Sequence, residues 1–237
     1  MAKLIAPAGF DNVEPPEGKC PPPRQELELE HVHGVAGGLS PLAFNNKSNL
    51  VVAAASVAYV QKPGGGEQIA FYSKGHKSAI TCLAVDDTGE YAATGQAGPE
   101  AKVCVWDAST AMHLAELICP HEEHAVAAIA WCSDSERIAS VGTDPLHTLC
   151  IWKWRGGEGA LLHSTPTETL GVLCLGWSPA GGSGAWIVQG GEQHVLFWKV
   201  EEGSGGDDEM TIGASKAASK LVIPRLGALH HSRTDNA

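Results

Sequence analysis

Two histidines near the middle of the chain come closest to a metal-binding motif. His121 and His124 enclose two glutamates, but their spacing differs from the His-Glu-x-x-His pattern of zinc enzymes. The seven cysteines are scattered without a Cys-x-x-Cys pair, so they indicate neither a zinc site nor a disulfide framework. No phosphate-binding Gly-x-x-x-x-Gly-Lys-Ser/Thr motif and no Gly-x-Ser-x-Gly elbow occurs. We therefore expect no metal, no cofactor and no catalytic residue.

A second set of polar side chains suits buried hydrogen bonding between strands. His76, Thr94 and Trp106 can join a ring nitrogen, a hydroxyl and an indole N–H, and Asp107 follows the tryptophan directly. Polar groups that a tight loop leaves inside a protein must be paired, so these residues fit a structural network better than a catalytic centre. Because residues 95–100 contain no aspartate, we expect this unit to hold only part of such a network.

The same residue types return about 46 positions later in the chain. Ser140 takes the place of the hydroxyl, Asp144 lies in the following loop, and Trp152 takes the place of the tryptophan. Either His121 or His124 can supply the histidine, and His124 is carried forward as the candidate. This unit alone has every residue type that a complete network needs.

The strands that would position these residues also repeat. Three short apolar segments end in tryptophans that are 46 residues apart, at Trp106, Trp152 and Trp198. Three alternating segments carry a second series with the same step, at Leu83, Ile129 and Leu175. Turns rich in glycine, aspartate and serine separate these segments. In the last unit, Trp198 is the one network residue that remains.

Four short strands in every 46 residues predict the blades of a β-propeller, whose repeats have about 40–45 residues. A single four-stranded sheet cannot bury both of its faces, so successive sheets must stack face to face. An earlier and weaker unit precedes the others, because Tyr59 lies 47 residues before Trp106. We therefore expect an all-β protein with about four antiparallel four-stranded blades, which can form an incomplete propeller.

The pair Gly75-His76, followed by Trp106-Asp107, resembles the Gly-His … Trp-Asp signature of WD40 repeats. This resemblance implies WD40-type blades, in which a histidine, a strand hydroxyl, a loop aspartate and a strand tryptophan form a buried structural network. The candidate network residues are His76, Thr94, Trp106, Asp107, His124, Ser140, Asp144, Trp152 and Trp198.

A closer resemblance covers residues 26–202. Leu27–Gly34 resembles the start of the HELP motif of the EMAP-like (echinoderm microtubule-associated protein-like) WD40 family. Ala93-Thr-Gly-Gln96 resembles that family's first clear WD repeat, and Trp152-Lys-Trp154 resembles the end of its next blade. The cilia- and flagella-associated WD repeat proteins are similar over the same span and come second. Both resemblances imply a non-catalytic, microtubule-associated scaffold that binds tubulin or axonemal proteins.

Three segments are expected along the chain. Residues 1–25 are proline-rich and predicted to be extended. Residues 26–202 are predicted to hold the HELP-like motif and blades near 35–74, 75–119, 120–164 and 165–202. Residues 203–237 form a Gly/Ser/acidic low-complexity tail that is predicted to be disordered. His31 and His33 depart from the HELP motif, which usually has aromatic residues in their places.

Composition narrows the range of partners and locations. A net charge of −11 argues against binding to nucleic acid or to an anionic membrane surface. The sequence has no secretory signal and no apolar run of about 18 residues. We expect a cytoplasmic, cytoskeletal protein, with a cilium or flagellar axoneme as a further location that the resemblance implies. The alternative function is a generic WD40 adaptor in a signalling or ubiquitin-ligase complex, which an interaction without tubulin would favour.

Overall fold

The computed structural model describes residues 28–35, 42–64, 66–120, 124–156, 159–167, 171–179, 184–191, 194–202 and 210–215. Contacts divide the chain after Glu30, and every described strand lies in the unit that begins at His31. The described residues of the first unit, 28–30, are irregular. Strands and loops account for the whole described part of the chain, so the predicted all-β class is confirmed.

The first two sheets are antiparallel meanders in which each strand pairs with the next along the chain. Sheet 1 contains β1 (Leu42–Phe44), β2 (Leu50–Ala54), β3 (Val57–Gln61) and β4 (Gln68–Tyr72). Sheet 2 contains β5 (Ile80–Val85), β6 (Tyr91–Gln96), β7 (Lys102–Asp107) and β8 (His113–Ile118).

The last two sheets have the same meander order. Sheet 3 contains β9 (Val126–Trp131), β10 (Arg137–Gly142), β11 (Leu149–Lys153) and β12 (Ala160–Thr165). Sheet 4 contains β13 (Val172–Trp177), β14 (Trp186–Gly191), β15 (His194–Glu202) and β16 (Met210–Ser215). The structure therefore has the predicted architecture of four antiparallel four-stranded sheets.

Two strands lie where the sequence patterns gave no strand. The three-residue β1 completes sheet 1 by pairing with β2, from Leu42 opposite Val52 to Phe44 opposite Leu50. The strand β16 falls within the segment that was predicted to be a disordered tail, and it pairs with β15. A sheet edge offers backbone hydrogen bonds to any extended segment, so composition alone is a poor guide to such outer strands. Residues 1–25, 203–209 and 216–237 of the predicted terminal segments lie outside the described residues, as do residues 26 and 27 of the predicted HELP-like motif.

The sheets stack through their faces, and their first strands come together. The strand β5 contacts β1 and β9, and β9 contacts β13, so the first strands of successive sheets are neighbours. Separate apolar clusters fill the spaces between sheets 1 and 2, between sheets 2 and 3, and between sheets 3 and 4. The tryptophans of the 46-residue series, Trp106, Trp152 and Trp198, are all buried in these clusters. Each of these three clusters is formed by residues of two neighbouring sheets.

Hydrogen bonds between turns also join neighbouring sheets. The backbone N–H of Asn46, in the β1–β2 turn, donates to the Gly89 carbonyl of the β5–β6 turn at 3.0 Å. The hydroxyl of Ser135, in the β9–β10 turn, donates to Asp86 Oδ2 at 2.6 Å. The indole of Trp131 donates to the Ala84 carbonyl at 3.2 Å. These bonds fix the relative positions of three successive sheets.

Candidate functional site

The structure brings three of the predicted network residues together inside sheet 2. The Trp106 indole N–H donates to Thr94 Oγ1 at 3.1 Å, and Thr94 Oγ1 lies 2.7 Å from His76 Nε2. Trp106 and Thr94 lie on adjacent strands, β7 and β6, and are offset by two positions in the register, whereas His76 reaches them from the loop before β5. All three residues are buried.

Gln96 completes this network in place of the missing aspartate. Its side-chain oxygen lies 3.0 Å from His76 Nδ1, and its amide nitrogen donates to the Glu100 carbonyl at 2.6 Å. Because that oxygen can only accept, His76 must carry its proton on Nδ1, which leaves Nε2 to accept from the Thr94 hydroxyl. A continuous chain of hydrogen bonds therefore runs from the Trp106 indole through Thr94 and His76 to the side-chain oxygen of Gln96.

The environment of His76 keeps its ring neutral. Burial lowers the pKa of His76 to about 4, although the hydrogen bond to Gln96 favours the charged form. Lys102 and His113 lower this pKa further by charge, and Glu116 raises it. A neutral ring agrees with the pattern of donors and acceptors, and it fits a structural role better than proton transfer near neutral pH.

An aromatic stack that the sequence analysis missed extends this network to sheet 1. The ring of Tyr72, the last residue of β4, is parallel to Trp106, with centroids 5.1 Å apart and planes 7° apart. Tyr72 also stacks on His113, with centroids 6.0 Å apart, and meets the His76 ring edge to face at 5.9 Å. The Tyr72 hydroxyl lies 2.7 Å from His113 Nδ1. The stack joins two sheets through residues 34 and 41 positions apart, so strand periodicity could not reveal it.

Asp107 was expected in the network, but it stabilises a turn instead. Its Oδ1 accepts the backbone N–H groups of Ser109 and Thr110 at 2.9 and 2.8 Å. This arrangement is a common role for aspartate in tight turns, here between β7 and β8. Although burial raises the pKa of Asp107, the backbone donors outweigh it and hold the pKa below its usual value.

In sheet 3, the described residues show part of the predicted network. The Trp152 indole donates to Ser140 Oγ at 2.9 Å, which repeats the bond between tryptophan and hydroxyl in sheet 2. Asp144 accepts from the Thr148 hydroxyl at 2.7 Å and from its backbone N–H at 3.0 Å. Within the described part of the chain, His124 lies before β9 and forms no hydrogen bond with Ser140. The other candidate, His121, lies outside the described residues.

Sheet 4 contains the equivalent tryptophan, Trp198, but lacks the hydrogen bond between indole and hydroxyl that sheets 2 and 3 contain. Gln189 occupies the position that Thr94 and Ser140 have in sheets 2 and 3, opposite Leu175. Its amide donates to Thr167 Oγ1 at 3.0 Å. In the described structure, Gln189 Oε1 and Trp198 Nε1 are buried without a hydrogen-bond partner. Among the described residues, the longest hydrogen-bond series is therefore in sheet 2, and the complete network of sheet 3 stays a prediction because His121 lies outside those residues.

The cysteines do not provide reactive thiols in the described core. Burial raises the pKa of Cys82 to about 12 and the pKa values of Cys104 and Cys150 to about 11. Such thiols stay protonated near neutral pH and are poor nucleophiles and poor metal ligands. The described residues contain no cluster of three or more His, Cys, Asp or Glu side chains that could hold a metal ion. They also contain no helix long and apolar enough to cross a membrane.

Comparison with known proteins assigns the class of this fold. The model for "WD domain, G-beta repeat" matches residues 66–107. This match begins two residues before the last strand of sheet 1 and ends in the third strand of sheet 2, so one sequence repeat contributes to two sheets. The solved structure "Structure of U3-55K" superimposes with a TM-score of 0.58 at 16% identity, covering 79% of this chain and 56% of that one. The chain is a WD40-repeat protein with blades of the β-propeller type.

Sequence comparison places the chain more narrowly within this class. It is 30% identical over 221 residues to "Echinoderm microtubule-associated protein-like 3" of Mus musculus, which covers 85% of this chain and 24% of that protein. It is also 30% identical over 102 residues to "Cilia- and flagella-associated protein 251" of Pongo abelii, covering 42% and 8%. Both resemblances expected from the sequence are thus confirmed. The chain spans about a quarter of the length of the first relative.

Proposed function

We propose that this chain is a non-catalytic WD40 scaffold that binds tubulin or axonemal proteins. The observation that carries the proposal is the similarity to a microtubule-associated relative over 85% of the chain. The second relative is named for cilia and flagella, which also favours a cytoskeletal location in the cytoplasm or in an axoneme. The net charge of −11 makes nucleic acid and anionic membranes poor partners.

A non-catalytic role also agrees with what the polar side chains do. His76 and Thr94 bond to each other, Asp107 bonds to its turn, and His76 is kept neutral by burial. Loops at the ends of the sheets are therefore the natural contact surfaces, because loops vary while the blades hold them rigidly. Two exposed apolar side chains lie at such positions: Leu146 in the β10–β11 loop and Met112 in the β7–β8 turn.

The direct test is size-exclusion chromatography of the full chain with soluble tubulin at physiological salt. Co-elution as a single monodisperse peak is the expected result. A monodisperse peak that ignores tubulin would contradict the proposal and favour a generic WD40 adaptor.

A matched pair of variants locates the contact surface. The β10–β11 and β7–β8 connections lie at opposite ends of the sheets, because β7 and β11 are the third strands of equivalent meanders. Leu146→Ser and Met112→Ser remove similar exposed apolar side chains from these two ends. We expect one variant to weaken co-elution and the other to leave it unchanged. Equal weakening by both would contradict binding through one set of loops.

A further inference from the structure

Sheets 2 and 3 each use the same strand positions to contact the sheet that follows. On the third strand of sheet 2, Val103 and Val105 are fully buried in the cluster between sheets 2 and 3. Leu149 and Ile151 have the same positions in sheet 3 and are fully buried in the cluster between sheets 3 and 4. The alternate side chains point the other way, since Trp106 belongs to the cluster between sheets 1 and 2. Successive sheets therefore pack through equivalent side chains.

In sheet 4 these positions are partly exposed to solvent. Val195 and Phe197 stand 46 residues after Leu149 and Ile151, and 38% of the surface of Phe197 is exposed. The next residue, Trp198, belongs to the cluster between sheets 3 and 4, and successive side chains of a strand point to opposite faces. Val195 and Phe197 therefore lie on the face of sheet 4 that points away from sheet 3.

The second strand of sheet 4 extends this apolar surface. Val188 on β14 lies directly opposite Phe197, and Trp186 is on the same face because it is two residues earlier. The neighbouring residue on β13 is Gly176, opposite Val188. Among the described residues, no atom beyond its chain neighbours lies within 4 Å of where a Cβ of Gly176 would be. The space beside Val188 is therefore open.

The first strand adds an exposed thiol to the same face. Cys174 pairs with Gly190, which in turn pairs with Val195, so Cys174 and Val195 share a face. Cys82, 92 residues earlier, is buried between sheets 2 and 3, whereas Cys174 is exposed. We call this surface the open face of sheet 4, and its apolar side chains are Cys174, Trp186, Val188, Val195 and Phe197.

The charged side chains beside the open face neutralise each other. Lys199 and Glu201 follow Phe197 at alternate positions of β15, and Lys199 Nζ lies 2.8 Å from Glu201 Oε1. The chain as a whole has a net charge of −11, so two copies repel each other over most of their surfaces. This repulsion is weakest where the surface is locally neutral, as it is here.

At the other end of the array, the outer face of sheet 1 is already covered. Val52 and Tyr59 on this face are only 1% and 5% exposed, and Val32 packs against them. The Tyr59 hydroxyl donates to the Gly34 carbonyl at 3.2 Å, and the Gln68 side chain bonds both backbone groups of Val32 at 2.7 Å. A second copy that docked on sheet 1 would have to displace this segment, whereas two open faces of sheet 4 can meet directly.

We propose that the open face of sheet 4 binds the open face of a second copy of this chain. Two-fold symmetry allows one patch to form both halves of such a contact, and β-sheets pack face to face about 10 Å apart. Phe197 of each copy would be buried against the other sheet, as Ile151 is buried between sheets 3 and 4. The dimer is independent of tubulin binding and goes beyond the proposed scaffold function.

The size of the open face sets the strength of this dimer. Six-residue strands are about 20 Å long and lie about 4.8 Å apart, so the three described strands present about 300 Å² per copy. A stable dimer usually buries about 800 Å² per partner. We therefore expect reversible association with a dissociation constant on the order of 10–100 µM.

Sedimentation velocity of the full chain under reducing conditions, from about 1 to 200 µM, tests the proposal across the expected dissociation constant. We expect a monomer that converts to a dimer as the concentration rises. A monomer at every concentration would overturn the proposal. So would an open-ended series of larger species, because an isologous contact closes at two copies.

Two phenylalanine variants locate the contact. Phe197→Ser removes one apolar side chain from each half of the interface and should weaken dimerisation at least about tenfold. Phe44→Ser is the matched control, since Phe44 lies on the outer face of sheet 1 and is 64% exposed. It should leave the dissociation constant unchanged. An unchanged dimer in Phe197→Ser, or equal weakening by Phe44→Ser, would contradict packing between two copies of sheet 4.

The thiol of Cys174 reports on the same contact without any substitution. Iodoacetamide labelling of the freshly reduced chain, followed by peptide mass spectrometry, gives the reaction rate at this cysteine. Because the dimer covers Cys174, its rate should fall about threefold between 1 and 200 µM protein. A rate that does not depend on protein concentration would show that sheet 4 stays uncovered, and the proposal would be wrong.

Discussion

Replacing Thr94 with valine tests whether the buried network stabilises the fold. The substitution keeps the shape of the side chain but removes the hydroxyl that accepts from the Trp106 indole and bonds to His76 Nε2. Both partner groups would remain buried without their hydrogen bonds, because Trp106 is fully buried and His76 is 7% exposed. An unsatisfied buried polar group costs about 1–3 kcal/mol, so two of them should lower the free energy of unfolding by about 3–4 kcal/mol.

Ser140→Ala in sheet 3 provides an internal comparison. Here the Trp152 indole loses its hydrogen-bond partner, so we expect a loss of about 2 kcal/mol. Thr165→Val, on the outer strand β12, is the control for placing valine in a strand, and it should change stability by less than about 0.5 kcal/mol.

Urea unfolding followed by tryptophan fluorescence and far-UV circular dichroism gives these free energies, provided that the m-values agree between variants. The expected order of destabilisation is Thr94→Val, then Ser140→Ala, then Thr165→Val. The reasoning would be refuted if Thr94→Val cost less than about 1 kcal/mol, or if it cost no more than Ser140→Ala.

Three further predictions follow from the same contacts. His76 has a pKa of about 4 in the folded state and 6.5 as its ordinary value, so the unfolded state binds more protons between these values. The corresponding stability is present above pH 6.5 and is lost as the pH falls towards 4, by about 3 kcal/mol in total. Urea unfolding at several pH values in this range should show that the free energy of unfolding depends less on pH for His76→Gln than for the unsubstituted chain. Trp198→Phe should cost about 1 kcal/mol less than Trp106→Phe in thermal or urea unfolding, because the Trp198 indole has no bond to lose in the described structure. Ser135→Ala removes a 2.6 Å bond to Asp86 and should cost about 1.5–3 kcal/mol, and a cost below about 0.5 kcal/mol would show that this link between turns is dispensable.

Much of the fold could be predicted because each strand is specified by the pattern of apolar residues in a short segment of the sequence. The 46-residue step between tryptophans and the alternation of apolar residues were enough to predict four sheets and the 46-residue spacing of their strands. The outer strands β1 and β16 could not be predicted, since backbone pairing with an existing edge determines them more than their own side chains do. Three residues of the network in sheet 2 were also predicted, because their types and spacing match the WD40 signature.

The fourth network residue, Gln96, could have been recognised from the distinctive Ala-Thr-Gly-Gln segment, which ends at that residue. The predicted network instead required an aspartate in the loop, and residues 95–100 contain none. Asp107 was assigned to the network by its type, but the turn after β7 offers it closer backbone donors. A short polar side chain bonds with whatever groups the local backbone brings near, and composition does not show which groups those are.

The sequence by itself determined the repeat, the strands and the buried tryptophans, because these depend on periodic burial within each short segment. Only the tertiary structure decided how neighbouring blades are joined. Tyr72 is buried between sheets 1 and 2, whereas Leu117 is buried between sheets 2 and 3. The residues that meet in these spaces come from different sheets and are more than 30 positions apart. Their fit depends on how the sheets pack and on the exact volume at each position, and no single strand carries that information.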